Sequence, residues 1–173
     1  MKTRRKREEE DGISGLSNQF VHCLIEKLEL KNYHGVLWAD EIKAEYMPVN
    51  SIYLVNTDPS YRPGEHFLLL FKTKKDEISF YDPLARKIDF YDAVYPRLEG
   101  FKIIPLRKRP HQALESVHCG FFVIHFLIKE YRLSSKLKSQ FRAFKSSPAN
   151  LLENDEIVVT NLVKYFQYIS ANA

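Results

Sequence analysis

The sequence predicts an α+β fold, a mixed central sheet with a buried central helix, and three observations predict it. Four runs rich in β-branched and aromatic residues, SIYLVN (51–56), HFLLLFK (66–72), EISFYD (77–82) and FKIIPL (101–106), read as strands. Residues 120–131 are almost continuously apolar and end in charge (Lys129, Glu130, Arg132), a length that suits a helix better than a strand. Segments of helical spacing then flank the strand-rich middle at both ends, so helices are segregated from strands rather than alternating with them.

Taken in order, NQFVHCLIEKLEL predicts a first helix over 18–30, with Phe20, Cys23, Leu24, Lys27 and Leu28 on one face and Cys23 filling the core. YHGVLW (33–38) reads as a short glycine-containing loop, and ADEIKAEYM as a second short helix ended by Pro48. SIYLVN is closed by the turn cluster Asp58, Pro59, Ser60, Arg62, Pro63, Gly64. The next two runs are joined by KTKKD as a hairpin. LLLF and KIIPL are continuous rather than alternating, which predicts strands covered on both faces. The helix over 120–131 is apolar all round and belongs at the centre, with Ser116 as its N-cap and Cys119 in its first turn. The C-terminal NDEIVVTNLVKYFQYIS has Asn154 as cap, acids in its first turn, and Val158, Leu162, Tyr165 and Ile169 along one face that packs on the outside.

Composition narrows the class. A chain of 173 residues, 45% hydrophobic and 13% aromatic, can bury one real core, so a single domain over 15–173 follows. Before it, Lys2, Arg4, Arg5, Lys6 and Arg7 run straight into Glu8, Glu9, Glu10 and Asp11. Over a Debye length of about 8 Å that tail is nearly neutral, and residues 1–14 read as a disordered charged arm. The two cysteines, Cys23 and Cys119, form no CxxC pair, and there is no secretory signal or long apolar run. A reducing intracellular setting, no disulfide scaffold, no membrane partner and a monomer are expected. The net charge of +4 permits an acidic partner without demanding one, but Arg107, Lys108, Arg109 and the stretch 132–145 (RLSSKLKSQFRAFK) cluster enough to suit nucleic acid.

The chemistry centres on Cys119. The positive end of a helix favours a thiolate, and the thiolate is the nucleophile. Such a nucleophile needs a base, a group that orients the base, and donors for the oxyanion. His66 opens the strand HFLLLF just after a turn, and Asp82 ends the adjacent strand; in a hairpin the start of one strand and the end of the next lie side by side. Gln112, seven residues before Cys119, offers a side-chain amide as one oxyanion donor, with the Cys119 N–H as the second. Gly120 lets the start of that helix be approached closely.

The order His66, Asp82, Gln112, then Cys119-Gly120 and an apolar helix resembles the adenovirus-type (adenain-like) maturation proteases and their relatives in Maverick/Polinton elements and virophages. YHGVLWADEI looks like that family's opening motif, IYLVNTDPSYRPGEHFLLLF like its Val-Asn-Thr stretch leading to Gly-x-His, and HQALESVHCGFF like its Gln-to-Cys-Gly loop. Related Ulp-type enzymes that cleave SUMO share the catalytic order, but usually place the Gln six before the Cys, whereas the spacing here is seven as in the adenoviral branch. Two departures stand out. Phe67 follows His66 where the family usually has Trp, and Asp82 stands where adenoviral enzymes commonly carry Glu.

What the resemblance implies is an adenain/Ulp-type fold and a viral-maturation thiol protease, a hydrolase acting through His66, Asp82, Gln112 and Cys119. It also implies capsid or core precursors cut near Gly-rich sites, no cofactor for the chemistry, DNA or a short peptide as activator, and action in the host nucleus or virion. A SUMO- or ubiquitin-like-modifier protease is the alternative within the same fold. A nucleic-acid-binding module without catalysis is a third reading, resting on the basic clusters. A metal site from His118, Cys119 and His125 is a fourth, weakened by the seven-residue spacing of its histidines, about two helical turns.

Overall fold

The computed structural model describes residues 16–172, and the predicted arm, 1–14, lies outside them. Strands β1 (Tyr33–Trp38), β2 (Ser51–Asn56), β3 (Phe67–Lys74), β4 (Glu77–Tyr81) and β5 (Lys102–Pro105) form one sheet in sequential order. The outer pairs, β1 with β2 and β4 with β5, are parallel, and the inner pairs are antiparallel. The helices are α1 (Asn18–Glu26), α2 (Cys119–Tyr131), a four-residue α3 (Ser135–Lys138) and α4 (Glu153–Ala171). An α+β architecture with a mixed sheet is therefore what the chain adopts.

The two-residue period of β3 sorts its side chains onto two cores. Phe67, Leu69 and Phe71 face α2 and join Val21, Ile25, Phe122, Phe126 and Leu162. Leu68 and Leu70 point the other way, onto Ile42, Met47, Val94 and Leu98 from the connecting segments. Covering on both faces explains why LLLF is continuous rather than alternating. KIIPL does not share that state: β5 is an edge strand with only half-buried isoleucines, and Pro105, which has no N–H to give, fits the edge.

Helix α2 is buried along nearly its whole length, from Cys119 to Ile128, because it lies between the sheet and the outer helices α1 and α4. Phe122 is fully buried there. Truncation to alanine leaves a cavity in the middle of the core, so Phe122→Ala is expected to cost about 3–5 kcal/mol, read as a lower urea midpoint at unchanged m-value.

Several expectations need correction. YHGVLW is strand β1, not a loop; Gly35 adopts φ +117 within an irregular stretch of the β1–β2 register, and that local break disguises the strand. ADEIKAEYM forms two 3-10 turns, Ala39–Glu41 and Ala44–Tyr46, rather than a helix. Helix α1 stops at Glu26, and Glu29 at φ 50 turns the chain away. Its buried face is Val21 and Ile25, with Leu28 buried just past its end, while Phe20 and Cys23 are exposed. Apolar residues occupy both sides of this helix, and the one carrying the β-branched pair meets the core. Cys23 is thus not core filler.

The basic stretch 132–145 is helical only over Ser135–Lys138. What fixes the rest is α4: Asn161 accepts from the Arg142 N–H at 2.9 Å and donates to the Arg142 carbonyl at 3.0 Å, and Asn154 does the same for Lys145 at 2.7 and 3.0 Å. Asn154 is therefore a buried clamp inside the first turn and not the cap of α4, a position taken by Leu152. Packing of α4 against α2, with Val158, Leu162 and Tyr165 buried, matches the expected face. No helix among the described residues is long and apolar enough to cross a membrane.

Candidate active site

The β3–β4 hairpin turns at residues 75 and 76, and its register sets Leu69 opposite Tyr81 and Leu70 opposite Phe80. Continued by one step, the register brings Asp82 opposite Leu68 and diagonal to His66, on one face of the sheet. The two side chains close that diagonal: His66 Nε2–H donates to Asp82 Oδ1 at 2.7 Å, and both residues are buried. His66 is held from behind as well, since the Thr57 N–H donates to its carbonyl at 2.9 Å.

Asp82 is saturated with donors. Oδ1 accepts from His66 and from the Leu84 N–H at 2.9 Å; Oδ2 accepts from the Arg86 N–H and the Tyr91 hydroxyl, each at 2.8 Å. Burial alone would push this carboxyl up, but the hydrogen bond and charge of His66, with the Leu84 and Tyr91 donors, hold it below the usual carboxylate value. The Tyr91 ring also stacks on the imidazole, 5.9 Å between centroids and 9° between planes. Burial and the neighbouring Asp82 charge push the Tyr91 hydroxyl up, so it stays a donor.

Because Nε2 is committed to Asp82, Nδ1 is the ring nitrogen left for the cysteine, and Cys119 lies near enough to act on the charge of the imidazole. Burial acts to lower the imidazole; the hydrogen bond and charge of Asp82, with the nearby Cys119, overcome it and raise His66 to about 9. At neutral pH the ring is an imidazolium between a carboxylate and a sulfur.

Cys119 is the first residue of α2, and its N–H has no acceptor within the helix. Gly120 follows because a side chain there would press on Val21 Cγ2 at 2.7 Å, so glycine is what lets α1 pack across the start of α2. The residue before it, His118, takes the N-cap position expected of Ser116. Ser116 sits two residues back, outside the helix, and accepts the His118 N–H at 3.1 Å.

Gln112 is buried, with Nε2 donating to the Ser116 carbonyl at 2.9 Å and reaching Ser116 Oγ at 3.3 Å. Its Oε1 is buried without a hydrogen-bond partner among the described residues. The peptide N–H groups of His111 and Gln112 both donate to the Pro83 carbonyl, at 2.8 and 3.1 Å, which ties this loop to the residue after Asp82. An open cleft of about 1620 Å³ runs over the site, with His66, Gln112 and Cys119 in its wall. All the residues read from the sequence as catalytic thus meet at one place.

Others were not legible in advance. Tyr91 reaches Asp82 from nine residues away through an irregular segment, and no spacing marks it. Trp38, the only tryptophan, lines the cleft from the end of β1, as does Phe67. The histidines of the metal reading go separate ways: His118 Nδ1 approaches Asp155 Oδ2 at 3.1 Å beside the cleft, while His125 is buried and accepts from Asn161 Nδ2 at 3.1 Å. Burial, then the Lys129 and His111 charges, lowers His125 to about 3, so it is a neutral acceptor in the core. Among the described residues, no three His, Cys, Asp or Glu side chains are grouped to hold a metal ion.

A buried Cys-His-Asp cluster at the edge of an α+β domain is the class of site that fold and geometry define. No family model matches the chain, and no curated protein matches it significantly.

Proposed function

We propose that this chain is a cysteine endopeptidase of the adenain/Ulp type. What carries the reading is the grouping of Asp82, His66 and Cys119 at an open cleft, with a 2.7 Å carboxylate–imidazole bond and an imidazole raised to about 9 by Asp82 and the nearby Cys119. An imidazolium beside a cysteine is the arrangement that supplies an ion-paired thiolate. In this mechanism the Cys119 thiolate attacks the scissile carbonyl and a C–S bond forms. The oxyanion is met by the Cys119 N–H and by Gln112 Nε2, whose second hydrogen makes only the long 3.3 Å approach to Ser116 Oγ. His66 passes its proton to the leaving amine, then takes one from the water that hydrolyses the thioester. Asp82 holds the ring throughout.

The role of Gln112 has its own test. Gln112→Ala is expected to lower kcat about 100-fold or more on a fluorogenic Gly-Gly aminomethylcoumarin peptide; an unchanged kcat removes Gln112 from the mechanism.

For the substrate, the motif order and the Gln-to-Cys spacing of seven support viral or transposon structural precursors cut at Gly-rich sites, in the host nucleus or virion. Asp82 in the third position supports the modifier-cleaving branch instead. Incubation with a Gly-Gly capsid-precursor fusion and with a Gly-Gly-ended ubiquitin-like fusion separates the two by which one is cut.

The basic clusters support DNA as a partner or activator, because Arg107, Lys108, Arg109 and Lys145 converge around a depression of about 360 Å³. Affinity for a labelled duplex is expected to fall steeply as salt rises. Absence of binding at low salt removes the DNA partner, and DNA binding without any peptidase activity would favour the binding module alone.

A further inference from the structure

We infer that Asp155 is a positioning residue for the loop that carries the oxyanion donors, an inference that rests on the cysteine-peptidase reading. Asp155 lies in the first turn of α4, 39 residues from Ser116 in the chain, and is mostly buried against the cleft wall. Its Oδ1 accepts the Ser116 hydroxyl proton at 2.8 Å. A serine hydroxyl has one proton and two lone pairs. With the proton directed at Asp155, the lone pairs face the His118 N–H at 3.1 Å and Gln112 Nε2 at 3.3 Å. Asp155 therefore makes Ser116 Oγ an acceptor toward both ends of the loop at once.

The consequence reaches both oxyanion donors. On one side, the Ser116 carbonyl keeps the NH₂ end of Gln112 in place, Ser116 Oγ holds the second hydrogen only at 3.3 Å and releases it when an oxyanion forms, and Oε1 is left turned elsewhere. Were Ser116 free to donate, its proton could be given to Oε1 in a flipped amide, which would present oxygen to an oxyanion. On the other side, the His118 N–H is held directly before the Cys119 N–H. Asp155 Oδ2 also approaches His118 Nδ1 at 3.1 Å, and is not aligned as a hydrogen bond.

The neighbouring residue supports the same assignment. Asn154 Nδ2 donates to the His111 carbonyl at 2.7 Å, so consecutive residues of α4 hold the loop just before Gln112 and just before Cys119. Between those holds Leu114 is widely exposed at the rim of the cleft. The first turn of α4 thus sets the separation of Gln112 from Cys119 without touching either reacting atom.

The test uses the full chain and two probes. Hydrolysis of the Gly-Gly aminomethylcoumarin peptide needs the oxyanion donors; alkylation of Cys119 by iodoacetamide, mapped by mass against Cys23, needs only the thiolate. Asp155→Ala is expected to lower kcat about 10- to 100-fold, the scale of a small misplacement of a reacting group. KM and the Cys119 alkylation rate should stay within about twofold. Asp155→Asn, which keeps an acceptor oxygen for Ser116, should restore most of kcat. Ser116→Ala should match Asp155→Ala, and the double variant should be no worse than either, because both break one link. Wild-type kcat in Asp155→Ala overturns the inference. So does a parallel fall of kcat, alkylation and thermal stability that Asp155→Asn does not rescue, which would mark the residue as merely structural. A wild-type protein that alkylates at Cys119 yet never cleaves any Gly-Gly substrate contradicts the peptidase reading itself.

Discussion

Cys119→Ala is expected to abolish peptide hydrolysis, with kcat falling on the order of a millionfold, the scale for loss of a nucleophile from a catalytic triad. The loss is chemical and not structural. The residue is buried beside the core, but only its sulfur is removed, and the adjoining helix keeps Phe122, Val123 and Ile124 in place. Stability should change by about 1 kcal/mol or less, as for a small truncation without a large cavity. Measuring turnover and the urea midpoint on the same sample separates the two effects. Turnover retained by the alanine variant would exclude Cys119 as nucleophile.

Asp82→Asn should lower kcat about 10⁴-fold, because the amide no longer holds the imidazolium in the productive orientation. Asp82 accepts four hydrogen bonds on two oxygens. Asparagine offers a single oxygen and turns an NH₂ against donors, so a cost of about 1–3 kcal/mol follows from groups left unsatisfied. The pH dependence has a definite sign. His66 is raised from 6.5 to about 9 on folding, so the stability of its charged form is fully present below about 6.5 and is lost as pH rises through about 9. Asp82 is lowered, and its share is lost only in acid, as pH falls through its depressed value. In the wild-type protein the urea midpoint should therefore decline as pH rises from about 6.5 through about 9, and activity should fall only as pH passes about 9, where the folded protein loses its imidazolium. In Asp82→Asn both alkaline declines should move to lower pH. An unchanged alkaline limb would mean that Asp82 does not set the charge of His66.

The dyad was legible in the sequence for a geometric reason. A short turn at residues 75 and 76 forces the start of β3 beside the end of β4, so His66 and Asp82 could be paired from chain position alone. Gln112 and Cys119 were legible through their spacing and the apolar helix that follows. β1 was hidden because Gly35 interrupts its pairing, and the exposure of Cys23 was hidden because α1 carries apolar residues on both sides. Tyr91 and Asp155 escaped notice, and Ser116 was read only as an N-cap, because their contacts cross irregular segments. Ser116 is instructive: it looks like an N-cap by composition, yet its hydroxyl is spent on a helix far along the chain.

The central claim is that Cys119 is a thiolate nucleophile activated by His66 within a peptide-binding cleft. A Gly-Gly peptide bearing a C-terminal vinyl sulfone tests it most directly, read by intact mass and by mapping of the modified residue. The account predicts one adduct on Cys119, none on the exposed Cys23, and labelling strongly slowed in His66→Ala. Equal labelling of Cys23 and Cys119, or labelling of Cys119 that is indifferent to His66, would contradict it.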